Sequence, residues 1–135
     1  MADCPFCQIV AGKLAAALVH ESRGAVAFLD AFPAARGHVL VVPRVHAPTL
    51  PDLEADAIGE LFQAVSVVQR KVQRALEPLG MNVGWNHGKP AGQHVFHLHI
   101  HVLPRFEPGG RGIQALGTGG ERGELATLAA LIGSA

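Results

Sequence analysis

Phe96-His97-Leu98-His99-Ile100-His101-Val102-Leu103 alternates imidazoles with large apolar side chains. A period of two predicts a strand over 96–103, with His97, His99 and His101 on one face. Phe96, Leu98, Ile100 and Val102 then fall on the other, where a core can bury them. Rings on one face of a flat strand stand roughly 7 Å apart. Imidazole serves as nucleophile, acid, base or metal ligand near neutral pH. A row of three, braced from behind by core packing, is therefore the candidate site.

Working outward, Met81–Asn86 reads as a strand, joined to the histidine strand by a Gly/Pro loop over 87–92. Before it, Leu53, Ile58, Leu61, Phe62, Val65, Val68, Val72 and Leu76 keep to steps of three and four, predicting a helix over 53–79. Pro51-Asp52 is expected to open it, and Pro78 with Gly80 to close it. Leu18–Glu21 and Ala25–Asp30 read as two strands around a Ser-Arg-Gly turn, and His38–Val42 as a third that Pro43 stops. After Pro104 the chain is glycine-rich, expected to be mobile over about 106–123, until a short helix at 124–132. The pattern is a single domain over 1–135, an α+β fold with an antiparallel sheet backed by one long helix. Arg70, Lys71 and Arg74 read as a solvated helix face.

Eleven Lys+Arg balance eleven Asp+Glu, so no global field gathers a polyanion, and nucleic acid is not the expected partner. No apolar run approaches the roughly 20 residues of a membrane span. The acidic start Met1-Ala2-Asp3 leads into no signal core. A cytoplasmic protein is expected, in which two cysteines do not form a structural disulfide. Cys4-Pro5-Phe6-Cys7 is open to three readings: a redox pair, half of a metal site, or two unrelated thiols. A redox pair usually follows a strand, and none precedes Cys4; a tetrahedral metal needs two further ligands. A metallohydrolase with zinc on His97, His99 and His101 is the competing use of the histidine row. One flat strand spreads those rings over about 14 Å, too far to meet at one ion.

His97-Leu98-His99-Ile100-His101-Val102-Leu103 resembles the signature of the histidine triad (HIT) superfamily of nucleotide hydrolases and transferases. Asn86, Gly92-Gln93, Gly37 to Pro43 and Ala27-Phe28-Leu29-Asp30 resemble family segments in the same order, so the likeness runs from about Phe6 to Arg105. The resemblance implies a five-stranded antiparallel sheet with one long helix and short terminal helices, dimerising into a continuous larger sheet. It implies a purine nucleotide cleaved at its α-phosphorus, with His97, His99, His101 and His38 as the catalytic set. His99 is then the nucleophile, and His101 contacts the phosphate. Asp30 binds the ribose hydroxyls, Phe6, Ile9 and Phe28 hold the base, and Asn86 and Gln93 lie near the phosphates. His94 departs from the small or polar residue common in relatives near the leaving group. Some bacterial members resemble this chain in carrying the cysteine pair, which implies a structural zinc on Cys4, Cys7, His46 and His97. The chemistry itself needs no cofactor.

A neutral imidazole attacks phosphorus without adding charge repulsion, splitting one hard displacement into two through a nucleotidyl-histidine. It must present an unprotonated nitrogen, so His99 is expected to donate from its inner nitrogen to a backbone carbonyl. Asp30 has an ordinary use as well, capping the turn after it. The family branches into phosphoramidases and dinucleoside polyphosphate hydrolases; Leu103-Pro104-Arg105 resembles the second and many short bacterial proteins. A nucleotide-binding or scaffolding protein with incidental catalysis is the alternative from another class.

Overall fold

A computed structural model of the chain describes residues 3–110, 112–113 and 124–135. The stretch expected to be mobile falls largely on residues 111 and 114–123, outside those described. Five strands, β1 (Leu18–Glu21), β2 (Ala25–Leu29), β3 (Val39–Pro43), β4 (Gly80–Gly84) and β5 (Ile100–Arg105), form one sheet in the order β1-β2-β3-β5-β4. Every neighbouring pair is antiparallel. Helices α1 (Pro5–Val10), α2 (Ala55–Leu76) and α3 (Leu125–Gly133) complete the α+β architecture.

The period of two in β2 and β3 sorts apolar side chains onto both faces of the sheet. Ala25, Ala27, Leu29, Val39 and Val41 join Leu61, Val65, Val68 and Val72 of α2 in the main core. Val26, Phe28, Leu40 and Val42 face the other way and pack with Cys4 and Phe6. The sheet is thus covered by α2 behind and by the N-terminal segment in front, and the front is where the histidines emerge.

The long helix is shorter than its periodicity suggests. Asp52 caps an earlier 3-10 turn over Leu50–Asp52, taking the Thr49 N–H at 3.1 Å and its hydroxyl at 2.7 Å. At the other end Glu77 turns left-handed (φ 50°), just before Pro78. Lys71 is not simply a solvated charge: its Nζ donates to the Gly133 carbonyl at 2.6 Å and ties α3 to α2.

The histidine strand needs the largest correction. β5 begins only at Ile100, so His97 and His99 precede it. The reason lies in where the backbone groups go. Leu98 N–H donates to the Ala47 carbonyl (2.8 Å), the Val95 carbonyl accepts from Gln93 Nε2 (3.0 Å), and the His97 carbonyl accepts from the His99 ring (2.9 Å). These groups are committed to a loop and to side chains, and are not available to a sheet ladder. Leu98, Ile100 and Val102 are buried as expected, but Phe96 is 47% exposed.

Candidate active site

The bend before β5 splits the histidine row in two. His99 and His101 stay together on the front of the sheet, their ring centroids 5.1 Å apart. His97 turns aside to the thiols of Cys4 and Cys7. No third triad nitrogen therefore converges with His99 and His101, and the zinc-on-three-histidines arrangement does not form. His38 takes the third place, 5.2 Å from His101 by ring centroids. It arrives there because the loop from Asp30 to His38 closes on itself: Asp30 N–H donates to the His38 carbonyl at 2.9 Å. Gly37 turns the chain at φ 83°, a backbone conformation suited to glycine.

The hydrogen bonds fix the proton positions. Ala34 N–H donates to His38 Nδ1 (3.1 Å), so that nitrogen carries the lone pair. A neutral His38 then bears its hydrogen on Nε2 and donates to His101 Nδ1 at 2.9 Å. The remaining N–H of His101 is accordingly on Nε2. His99 Nδ1 lies 2.9 Å from the His97 carbonyl, which can only accept, so Nδ1 donates and Nε2 is left with its lone pair. The expected carbonyl is that of His97. Burial depresses proton affinity in all three rings, most in His101, which falls to about 3 with further repulsion from His99 and His38. The three are neutral at physiological pH.

A cavity of about 1000 Å³ opens over these rings. Phe6, Ile9, Phe28, Asp30, His38, Asn86, His94, His99 and His101 all line it, so most of the residues expected to bind nucleotide meet there. Phe6 packs edge-on against Phe28 (5.4 Å) and His99 (5.2 Å). Asp30 does two jobs: Oδ1 caps the turn by accepting Phe32 N–H at 2.9 Å, while the residue still borders the cavity. Gln93 is placed differently. Only 1% exposed, it takes Gly88 N–H and donates to the Pro48 and Val95 carbonyls, bracing the loop from behind. Gly92 can approach Asn86 closely, since a Cβ there would stand 3.2 Å from Asn86 Nδ2.

The cavity has a second wall that the motifs did not reveal, made of Leu14 to Ala17, Phe32, Ile113 and the start of α3 at Leu125 and Ala126. The run Leu14-Ala15-Ala16-Ala17, apolar and small just before β1, was its one local signal.

Cys4, Cys7, His46 and His97 bring four ligand atoms within 4.8 Å of one another. Bonds of about 2.3 Å to sulfur and 2.0–2.1 Å to nitrogen put the ligands of a tetrahedral zinc about 3.3–3.8 Å apart. The Sγ–Nδ1 separations are 3.5 Å (Cys4–His97), 3.2 Å (Cys7–His46) and 3.5 Å (Cys7–His97). His97 Nε2 donates to the Pro43 carbonyl at 2.8 Å, which leaves the Nδ1 lone pair for an ion. The four residues fit zinc. Among the described residues no other group of three or more such side chains converges.

The HIT domain family model matches residues 11–108. The "Protein hit" of Bacillus subtilis is 37% identical over 107 residues, covering 79% of this chain and 74% of that protein. An adenosine 5′-monophosphoramidase of Schizosaccharomyces pombe is 35% identical over 103 residues, 76% of this chain and 74% of its own. A Zn-bound histidine triad family protein from Mycobacterium smegmatis superposes with a TM-score of 0.83 at 30% identity, covering 98% of this chain and 92% of that one.

Proposed function

The chain belongs to the HIT family, and on that premise we propose that it is a hydrolase that binds a purine nucleotide and cleaves it at the α-phosphorus. One observation carries this: His99 Nε2 is left unprotonated by the Nδ1–H bond to the His97 carbonyl, beside a second ring whose Nε2 bears a hydrogen. A nucleophile and a donor for a phosphoryl oxygen are thus set side by side in neutral form.

In this mechanism His99 Nε2 attacks phosphorus while the leaving group departs, giving a nucleotidyl-histidine that water then hydrolyses. His101 Nε2–H, held by His38, donates to a non-bridging oxygen as charge builds there. Asn86 is positioned to assist from the cavity wall. Asp30 accepts from the ribose hydroxyls, and Phe6, Ile9 and Phe28 enclose the base. His94, exposed at the cavity rim, faces the departing group. Gln93 and His97 act from outside the cavity, the first as a brace, the second through its carbonyl. The Cys4–Cys7–His46–His97 centre holds zinc, which closes the N-terminal segment onto the sheet; with all four positions filled it supplies structure.

The substrate is a nucleoside phosphoramidate or a dinucleoside polyphosphate. Pro104 and Arg105, shared with the second branch, serve here as scaffold: Arg105 donates to Asn82 Oδ1 and the Gly112 carbonyl. Among relatives named for an activity, one is an adenosine 5′-monophosphoramidase and another an adenylylsulfatase; the first favours the phosphoramidate. We place a homodimer on β4, one of the sheet's two edges, where Val83 is 39% and neighbouring Leu79 74% exposed. No helix among the described residues is long and apolar enough to cross a membrane, and two cysteines outside any disulfide suit a reducing cytoplasm.

Release of AMP from adenosine 5′-phosphoramidate, diadenosine triphosphate and diadenosine tetraphosphate separates the two branches from a protein that only binds. His99→Ala should abolish turnover and retain AMP binding. Turnover that survives the substitution overturns the mechanism.

A further inference from the structure

The zinc-fitting centre and the candidate nucleophile share parts. His97 belongs to both. Its ring supplies Nδ1 to the cysteine cluster, while its main-chain carbonyl accepts the Nδ1–H of His99. That carbonyl and Leu98 N–H form one planar peptide unit. Leu98 N–H is in turn bound to the carbonyl of Ala47, next to His46, the fourth ligand. One peptide plane is therefore gripped between two ligand-bearing segments, and its oxygen sets the tautomer of the nucleophile.

A second route runs through α1. Phe6 lies between Cys4 and Cys7 in a helical turn closed by Cys7 N–H donating to Cys4 Sγ at 3.4 Å. Its ring meets His97 (6.0 Å), His99 (5.2 Å) and Phe28 (5.4 Å), all edge-on. The same ring walls the cavity. A six-residue helix is too short to hold its position by itself in water. What anchors it is the packing of Phe6 on the front of the sheet together with the pair of cysteines on either side of that ring.

We infer that the Cys4–Cys7–His46–His97 centre is energetically coupled to His99, with His97 and Phe6 as the positioning residues. Filling the centre with zinc fixes the peptide that orients the His99 ring and presses Phe6 against it. Coupling of this kind is reciprocal: if zinc strengthens nucleotide binding by some factor, nucleotide strengthens zinc binding by the same one. A short, rigid connection of this sort is expected to give a factor of about 10. The binding arm rests on the nucleotide-site reading above; the state of the His99 ring does not.

The test uses the full chain, zinc-loaded and chelator-stripped, with circular dichroism confirming that both are folded. AMP affinity is measured by calorimetry in each form, and zinc affinity by chelator competition with and without AMP. Nitrogen-15 NMR of labelled histidine reports whether His99 Nδ1–H is held. Expected are AMP binding about 10-fold tighter with zinc, zinc tightened equally by AMP, and a His99 Nδ1–H signal that broadens on stripping. AMP binding that is equal in both forms, with an unchanged His99 signal, overturns the coupling and leaves the nucleotide site standing. No AMP binding in either form, with a His99 signal that responds to zinc, overturns the nucleotide reading and supports the coupling. Should the stripped chain unfold, zinc-loaded Phe6→Leu decides. It should keep one zinc per chain yet broaden the His99 signal; a signal identical to that of the parent overturns the proposal.

Discussion

Gly37 precedes His38 and turns the chain at φ 83°, where any other residue is strained. A Cβ there would also stand 2.5 Å from Leu76 Cδ1 and 3.3 Å from Pro104 Cγ. Gly37→Ala should therefore destabilise the fold by about 1–3 kcal/mol, read as a lowered urea midpoint. Because His38 Nε2 must stay 2.9 Å from His101, turnover should fall more than AMP affinity. An unchanged midpoint would sink the steric argument. The residues nearest the chemistry were legible only in part: His99 and His101 share a face as the alternation suggested, His97 leaves the row for the cysteines, and His38 was placed beside them by the resemblance to the family alone. Gln93 was legible as important, but its place was not. A side-chain amide looks the same in sequence whether it reaches a ligand or, as here, three backbone groups.

Three of the five strands, β1 to β3, appear within a residue or so of where alternation put them, since their apolar side chains pack on the two faces of one sheet. The start of β5 did not, because alternation records which side chains are buried and says nothing of backbone partners. Leu98 and Ile100 alternate properly with His99 while the chain between 95 and 99 bonds to a loop. α1 was implied by the resemblance to the family and not by periodicity: six residues are too few for a helical period, and only Pro5 after a capping Cys4 marks its start. The loop brace can be tested as a unit. Gln93→Ala deprives Gly88 N–H and the Pro48 and Val95 carbonyls of a buried partner. A loss of about 2–4 kcal/mol is expected in denaturant unfolding. His94 and Asn86 border the cavity from either side of this loop, so KM should rise with the loss. A stability change below about 0.5 kcal/mol would show that water replaces the amide at no cost.

At the scale of the whole molecule, burying imidazoles against the sheet makes stability depend on pH. His101 is held neutral down to about 3 by burial and by its histidine neighbours, whereas in the unfolded chain it titrates near 6.5. Above pH 7 the ring is neutral in both states and contributes no slope. Below about 6.5 the unfolded chain takes up a proton that the folded one refuses, so stability falls as pH drops, by at most about 1.4 kcal/mol per unit. The decline continues until the folded ring itself titrates. Zinc release and the other histidines add slopes of their own, which a difference measurement removes. His101→Gln keeps an acceptor for His38 Nε2–H but cannot take up the proton. Between pH 7 and pH 5 the parent should therefore lose about 1–2 kcal/mol more than His101→Gln, measured by urea unfolding with zinc in excess. Parallel curves would mean that the ring is protonated in the folded chain. In that case His38 and His101 could not share the single hydrogen on which the donor to phosphate depends.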